Sequence, residues 1–191
     1  MGERLSREGK RMAGSGRLAG LVLLALGPAL AAAYAGAGHV AVRAAVRAQL
    51  AGPGWQGGGV DESGLTSLGV DTWRLTWWTA TVVGLAAVAY LVFGVLLQRE
   101  RRGRTLILVV SGVLIVPYAL GFGVALFNPV VLLANLYESP DFLAGLPAWQ
   151  PYTAWLLLAG GLAQAVGMVL AAAQGKRAAA AADVAPVNER S

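Results

Sequence analysis

The sequence predicts an all-α fold: an integral membrane four-helix transmembrane bundle with a short interfacial helical segment in its second outer loop. Of the 191 residues, 57% are apolar and only 13% are charged, whereas about a quarter of the residues in a soluble domain are charged. Four uncharged segments are each roughly 33 Å long at about 1.5 Å per residue, which matches a hydrocarbon core of about 30 Å. Their apolar runs are unbroken, so they indicate helices and not the alternating strands of a barrel.

The four spans divide the chain into one transmembrane domain, residues 18–173, and two tails. The predicted parts of the domain are spans at 18–40, 75–97, 105–127 and 152–173, with outer loops at 41–74 and 128–151. Residues 1–17 are polar, basic and rich in Gly, which predicts a disordered basic cytoplasmic tail. Residues 174–191 are expected to form a flexible cytoplasmic tail.

Basic residues indicate which side of the membrane each end faces. With four spans, both tails and the turn QRERRGR lie on one side and hold most of the fifteen Lys and Arg, which leaves Arg43, Arg47 and Arg74 on the other. Positive residues close to spans stay in the cytoplasm, so both termini are expected there. All six Trp fall in the outer loops or at the outer ends of spans, where an indole suits the headgroup boundary.

The N-terminal region also has the layout of a secretory signal peptide. Basic residues up to Arg17 precede an apolar run and the small residues ALAAAYAGA, which could hold a cleavage site. Cleavage would leave three spans and place the new N-terminus outside. The apolar run continues past Tyr34 to the length of a full span, which favours a retained first helix.

Two short helices are predicted in the second outer loop, at residues 129–137 and 140–144. Each begins with a capping side chain, Asn128 or Ser139, followed by Pro at the first helical position. The first helix is apolar on all but a narrow stripe, so it must lie in the headgroup layer, cap the bundle or be covered by a partner. The candidate residues for contact with a partner or a lipid are Val130, Leu133, Leu136, Tyr137, Phe142 and Trp149.

Rows of small residues predict where the spans pack closely, because association in lipid depends on close approach of the backbones. The longest rows are Ala25, Ala29, Ala33 and Ala37 in span one, and Ala159, Ala163, Gly167 and Ala171 in span four. Shorter rows are Thr76, Ala80 and Gly84 in span two, and Ala119 with Gly123 and Gly121 with Ala125 in span three. The same pattern would also suit a homodimer.

Polar and Pro residues inside the spans predict specific contacts between helices. Tyr118 and Gln164 lie at similar depth near the middle of spans three and four, so an interhelical hydrogen bond between them is expected. Pro28 and Pro117 each remove a backbone donor and should bend spans one and three. The carbonyls freed by the two Pro must then be satisfied by neighbouring groups.

The residues present also limit the chemistry that the protein is expected to perform. The apolar cores of the spans contain no Asp, Glu, Lys or Arg, on which proton-coupled transport and intramembrane catalysis usually depend. The chain has no Cys and one His, His39, so no catalytic residue, metal or cofactor is expected. Topology accounts for the basic turn without a nucleic-acid partner.

These observations predict a non-enzymatic accessory or scaffold component that binds a membrane partner or lipid through its outer loops. The possible partners are the lipid bilayer itself, another membrane protein or a second copy of the chain. The alternative function is that of a small transporter or channel subunit, with a path between the kinked spans one and three.

The layout of the chain resembles that of the small four-span membrane proteins common in high-GC actinobacteria. The resemblance rests on the Ala, Gly, Val and Arg bias, on the basic turn before span three and on the segment LPAWQPYTAWLLLAGGLAQ at span four. It covers most of the chain in layout. It implies a plasma-membrane protein and brings with it no activity, cofactor or functional residue.

Overall fold

The computed structural model describes residues 2–55, 57–99 and 104–184, and its regular elements in those ranges are helices. The elements in chain order are α1 (Gly2–Ala51), α2 (Ser67–Arg99), α3 (Arg104–Leu126), α4 (Pro129–Leu136), α5 (Pro140–Ala144), a 3-10 helix (Gln150–Thr153) and α6 (Ala154–Val184). Four of these helices, α1, α2, α3 and α6, contain a stretch long and apolar enough to cross a membrane. The predicted number and order of long apolar helices are therefore confirmed, and each is long and apolar enough to cross a membrane.

The first two long helices extend well beyond the predicted spans. Their apolar stretches are Leu18–Ala51 and Ser67–Leu97, of 34 and 31 residues. At about 1.5 Å per residue they are close to 50 Å long, which exceeds a hydrocarbon core of about 30 Å. Most of the predicted first outer loop is thus helical, and only residues 52–66 connect α1 to α2. We call this side of the bundle the loop end and the opposite side the tail end.

Helical backbone also covers much of the two predicted tails. The first helix begins at Gly2 and the last ends at Val184, whereas the sequence predicts no fixed structure for residues 1–17 and 174–191. A helix that already exists extends at little cost, because nucleation is its unfavourable step. Residues 1–17 contain four Arg and residues 174–191 contain six Ala, and both residue types are good helix formers.

The four long helices form a bundle in which α1 and α3 occupy opposite corners. The first helix packs along both α2 and α6, and α3 packs against α2 and less extensively against α6. Contacts between α2 and α6 cross the centre of the bundle. Helices α4 and α5 pack at the loop end, against α2 and α1 respectively.

The buried side chains form three clusters along the bundle. The tail-end cluster consists of Leu24, Tyr90, Leu97 and Met168. The middle cluster consists of Ala31, Tyr34, Ala80, Val83, Ala86, Ala87, Tyr118, Ala125, Ala154 and Leu157. The loop-end cluster consists of Val42, Ala45, Val46, Leu65, Leu68, Val130, Ala134 and Phe142. Only the loop-end cluster brings α4 and α5 together with the extended ends of α1 and α2.

Glycines form the closest contact between α1 and α6. Gly20 and Gly27 on α1, and Gly160 and Gly167 on α6, are buried and repeat at intervals of seven residues. A Cβ atom added at Gly167 would lie 3.1 Å from the Gly20 carbonyl oxygen. The two backbones therefore approach closely here, and Gly167 has no room for a larger side chain.

The predicted rows of small residues are partly correct. Thr76 and Ala80 on α2 are buried as predicted, and so are Gly121 and Ala125 on α3. In contrast, the row that starts at Ala25 on α1 is exposed at its first three positions. Residues spaced by four drift gradually around a helix with about 3.6 residues per turn, so such a row stays on one face only over a short length. A spacing of seven residues is close to two turns, so the glycines stay in contact with the neighbouring helix.

Candidate functional site

The loop-end layer is the first candidate site, and we define it as α4, α5 and the ends of α1 and α2 that pack on them. Phe142 is 0% exposed and Val130 is also buried, so both belong to the interior of this layer. Leu133 is partly buried against the same cluster. These three of the six predicted contact residues stabilise the layer itself. Apolar character alone cannot separate a core residue from a contact residue, because both types are apolar.

The other three predicted contact residues are exposed. Leu136 is 77% exposed, and Tyr137 and Trp149 are also exposed. Leu132, which the sequence analysis did not select, lies one turn before Leu136 and is exposed as well. Residues four apart on a helix share a face, so the two Leu side chains form one continuous apolar strip. We call Leu132, Leu136, Tyr137 and Trp149 the lip.

Two amide side chains connect the start of α4 to the segment that carries Trp149. Asn128 Nδ2 donates to Gln150 Oε1 at 3.0 Å, and Gln150 Nε2 donates to Asn128 Oδ1 at 2.9 Å. Gln150 is buried, so the pair makes its hydrogen bonds away from water. Buried reciprocal bonds of this kind fix the relative positions of the two segments.

Asn128 and Ser139 precede their helices as predicted, but neither side chain caps its helix. Asn128 has a left-handed backbone, with φ of 49°, and its amide is used in the pair with Gln150. The hydroxyl of Ser139 accepts from Gln49 Nε2 at 3.2 Å. The predicted caps were wrong because long-range partners compete for the same side chains.

The end of α1 is connected to both neighbouring segments of the layer. Gln49 donates to Ser139 and accepts from the Thr66 hydroxyl at 2.8 Å. The Gly54 backbone N–H donates to Asp141 Oδ2 at 3.2 Å. These bonds connect α1, the turn before α2 and the start of α5, so the layer is held by polar contacts as well as by its apolar cluster.

Tyr137 connects the lip to α2. Its hydroxyl donates to Asp71 Oδ2 at 2.8 Å. The hydrogen bond to Asp71, and then the negative charge of that carboxylate, raise the pKa of Tyr137 above its ordinary value of 10.0. The stabilisation from this hydrogen bond is fully present at pH values below 10.0, and it is lost as the pH rises through the raised pKa of Tyr137 in the folded protein.

Replacing Asp71 by Ala is expected to lower the titration midpoint of Tyr137 towards 10.0, because the two largest causes of the raised pKa are removed. The measurement is an NMR titration in detergent micelles of protein labelled at the Tyr ring carbons, with Tyr137 assigned through Tyr137→Phe. Glu138→Gln is the control, since it removes a carboxylate that makes no hydrogen bond to Tyr137. Equal midpoints in wild type and Asp71→Ala would contradict the assigned contact.

Gln164 is the most connected polar residue inside the bundle. It is 2% exposed, and its Nε2 donates to the Leu24 carbonyl at 3.2 Å and to the Ala87 carbonyl at 2.7 Å. The Leu24 carbonyl would normally accept from the residue four positions later, which is Pro28 and has no N–H. The side chain on α6 therefore supplies the donor that Pro28 removes, as expected for a Pro in a membrane-crossing helix.

Tyr118 connects α3 to α6, although Gln164 is not its partner. The Tyr118 hydroxyl donates to the Leu157 carbonyl at 2.9 Å. The predicted direct bond between Tyr118 and Gln164 is thus replaced by two separate interhelical contacts. Every turn of a helix carries backbone carbonyls that can accept a hydrogen bond. Predicting that two side chains lie at the same depth in the bundle therefore does not identify which acceptor each one reaches.

A cavity with a volume of about 460 Å³ lies between α3 and α6. Its lining is almost wholly apolar, and the polar residues in it are Tyr90, Ser111, Tyr118 and Gln164. A second cavity of about 330 Å³ lies at the loop end and is more polar, with Trp55, Tyr137, Glu138 and Asp141 among its lining residues. The structure therefore offers a groove between two long apolar helices and a loop-end surface as separate candidate sites.

The residues needed for a metal centre are not assembled in the described part of the chain. Within residues 2–55, 57–99 and 104–184, no three His, Asp or Glu side chains are grouped so that they could hold an ion. His39 lies against Trp73, with ring centroids 4.6 Å apart in an edge-to-face arrangement. Comparison with protein-family models, with curated proteins and with solved structures gives no match to this chain.

Proposed function

We propose that this chain is a non-enzymatic component of the plasma membrane, with both termini in the cytoplasm, that binds a membrane-protein partner through the lip. The observation that carries the proposal is the exposure of large apolar side chains on a layer whose own core is already closed. Phe142 and Val130 complete that core, so Leu132 and Leu136 are not needed to stabilise α4 within the chain. Exposed apolar strips of this kind are typical of contact surfaces.

The surroundings of the lip favour a protein partner over lipid acyl chains. The Asp71 carboxylate accepts a hydrogen bond from the Tyr137 hydroxyl beside the lip. Glu138 directly follows Tyr137 in the chain and is exposed. An apolar centre with a polar or charged edge is the usual anatomy of a protein interface. Carboxylates at the edge would be unfavourable inside a hydrocarbon layer.

The hydrogen bonds within the loop-end layer also support a recognition role. The Asn128–Gln150 pair and the contacts of Gln49 hold α4, α5 and α1 in one arrangement. A surface that is fixed before binding loses less conformational entropy when a partner docks. A preformed lip is therefore able to bind with a modest contact area.

The alternative of a transport path between spans one and three has less support in the described residues. The contact between α2 and α6 lies between α1 and α3, and the cavity that both Pro-containing helices line has a volume of only about 10 Å³. A groove of about 460 Å³ lies between α3 and α6 instead. We therefore retain the binding function as the proposal.

The double substitution Leu132→Ser and Leu136→Ser is expected to reduce recovery of the partner by at least about tenfold, because central apolar anchors dominate interface energies. The measurement is quantitative mass spectrometry of proteins that copurify in mild detergent from the native membrane. Val60→Ser is the control, since Val60 is an exposed apolar residue at the loop end outside the lip.

Carbonate extraction of the same membranes checks that the double variant stays inserted. If the set and amount of copurifying proteins are unchanged while the variant remains in the membrane, the lip is not the contact surface. Retained recovery in Val60→Ser together with loss in the double variant would support the proposal.

A further inference from the structure

The groove between α3 and α6 has a volume of about 460 Å³ and is open along its edges. Its edges are formed by exposed apolar side chains such as Ile115 on α3 and Leu162 and Val169 on α6. Tyr90 of α2 forms part of its inner surface. The groove exists because α3 packs closely on α2 and only loosely on α6.

The position of the groove indicates what kind of molecule could enter it. Its lining residues run from 111 to 122 on α3 and from 158 to 172 on α6, within the apolar stretches Val109–Leu126 and Gln150–Gln174. At about 1.5 Å per residue the groove is about 16 to 21 Å long, which is comparable with half of a hydrocarbon core of about 30 Å. A linear hydrocarbon chain that enters from the bilayer fits this length and the apolar lining.

The hydroxyl groups around the groove have no free donor. The Tyr90 hydroxyl donates to the Ser111 carbonyl at 2.7 Å, and the Tyr118 hydroxyl donates to the Leu157 carbonyl at 2.9 Å. The Ser111 hydroxyl donates to the Ile107 carbonyl at 2.7 Å. Each hydroxyl has a single hydrogen, so all three groups retain only acceptor capacity.

Gln164 also lines the groove and offers it no free donor. Both of its Nε2 hydrogens are used by the Leu24 and Ala87 carbonyls. The reverse orientation of the amide would place Oε1 against two carbonyl oxygens, so the hydrogen-bond geometry fixes the present one. Its Oε1 is buried with almost no accessible surface, so the acceptors assigned to a bound molecule are the three hydroxyl oxygens.

We propose that the groove binds a long-chain lipid alcohol, with the hydrocarbon chain along α3 and α6 and its hydroxyl donated to the hydroxyl oxygen of Tyr90, Ser111 or Tyr118. Every polar side chain that lines the groove can accept a hydrogen bond and none has an uncommitted donor. The site should therefore select a molecule with an O–H over one of the same length with only ether or carbonyl oxygens. This ligand site is independent of the lip and of its partner.

The test uses the full chain in phosphatidylcholine vesicles and a hexadecanol that carries a photoreactive diazirine in its chain. Illumination is expected to label the peptides that contain residues 111–122 or 158–172. Unlabelled hexadecanol is expected to compete about tenfold more strongly than hexadecyl methyl ether, the ratio that corresponds to about one buried hydrogen bond. Equal competition by the alcohol and the ether would overturn the proposal.

Matched variants separate the groove from the general lipid-facing surface. Ala165 and Ala159 are both exposed on α6, but only Ala165 lines the groove. Ala165→Phe is expected to abolish labelling, whereas Ala159→Phe should leave it unchanged. Ser111→Ala removes one acceptor, a hydroxyl that donates to the Ile107 carbonyl within α3, and it should narrow the difference in competition between alcohol and ether.

Two further outcomes decide between occupants of the groove. Labelling that persists in Ala165→Phe, or crosslinks from these residues to a second copy of the chain or to another protein helix, would overturn the proposal. The lip variant Leu132→Ser with Leu136→Ser is expected to keep wild-type labelling. Loss of partner recovery without loss of labelling thus distinguishes this site from the proposed function of the lip.

Discussion

Replacing Phe142 by Ala is expected to destabilise the loop-end layer by about 3 to 5 kcal/mol, the usual cost of truncating a buried Phe. Phe142 is the largest of the fully buried side chains and lies in the cluster that joins α5 to α1 and α2. Its removal leaves a cavity that rigid helix ends cannot close fully. The loop-end layer should then unfold before the four long helices separate.

Proteolysis and fluorescence can detect this local loss of structure. Trp73 packs against the same cluster, so its emission should shift to longer wavelength at lower denaturant concentration in Phe142→Ala than in wild type. Phe127→Ala is the control, because Phe127 is 77% exposed and its truncation should change stability by no more than about 0.5 kcal/mol. Equal effects of the two substitutions would show that Phe142 does not support the layer.

Replacing Gly27 by Ala is expected to destabilise the bundle by about 2 kcal/mol. A Cβ atom at position 27 would occupy the space of the Gln164 side-chain amide. The amide can move aside, but it would then lose its bonds to the Leu24 and Ala87 carbonyls. Hydrogen bonds between membrane helices contribute about 0.6 kcal/mol on average and up to about 1.7 kcal/mol each.

Gly36→Ala provides a control on the same helix. A Cβ atom at Gly36 meets no atom within 4 Å, so only the better helix propensity of Ala remains, and this substitution should be neutral or stabilising by up to about 1 kcal/mol. The measurement is reversible unfolding in mixed micelles with increasing SDS. A destabilisation by Gly27→Ala no larger than that of Gly36→Ala would contradict the close contact.

A double-mutant cycle tests whether Gln164 mediates the effect of Gly27. In a Gln164→Ala background the clash at position 27 is absent, so Gly27→Ala should no longer destabilise the bundle. A cost that persists in this background would assign the effect to direct contact of the helix backbones instead. Only the loss of the destabilisation in the Gln164→Ala background supports the role assigned to the Gln164 amide.

The bond from Gln164 to Leu24 also explains why Pro28 and Gln164 belong to one structural unit. Pro28 leaves a carbonyl without its usual donor, and Gly27 beside it allows a side chain of α6 to approach. In the sequence, the missing donor at Pro28 and the amide of Gln164 are two unconnected features. Their pairing across 140 positions of the chain became visible only when α1 and α6 were packed together.

Local sequence signals were sufficient to predict where the two helices of the second outer loop begin. Pro129 and Pro140 mark the first helical positions, and α4 and α5 begin at these residues. Pro has a backbone angle suited to the first turn and lacks only an N–H that would have no intrahelical partner there. The same local pattern could not predict that Asn128 and Ser139 bond to Gln150 and Gln49, because those partners come from distant segments.

By itself the sequence determined the all-helical class, the number and order of the long apolar helices and the two short helices between α3 and α6. These features depend on the length, charge and local spacing of residues, which act within one segment. Tertiary structure alone decided that Phe142 is core while Leu136 is exposed, that glycines form the α1–α6 seam, and that α3 stands apart from α6 around an acceptor-lined groove. Those outcomes depend on which faces of distant helices meet, and in an apolar sequence many faces have similar composition.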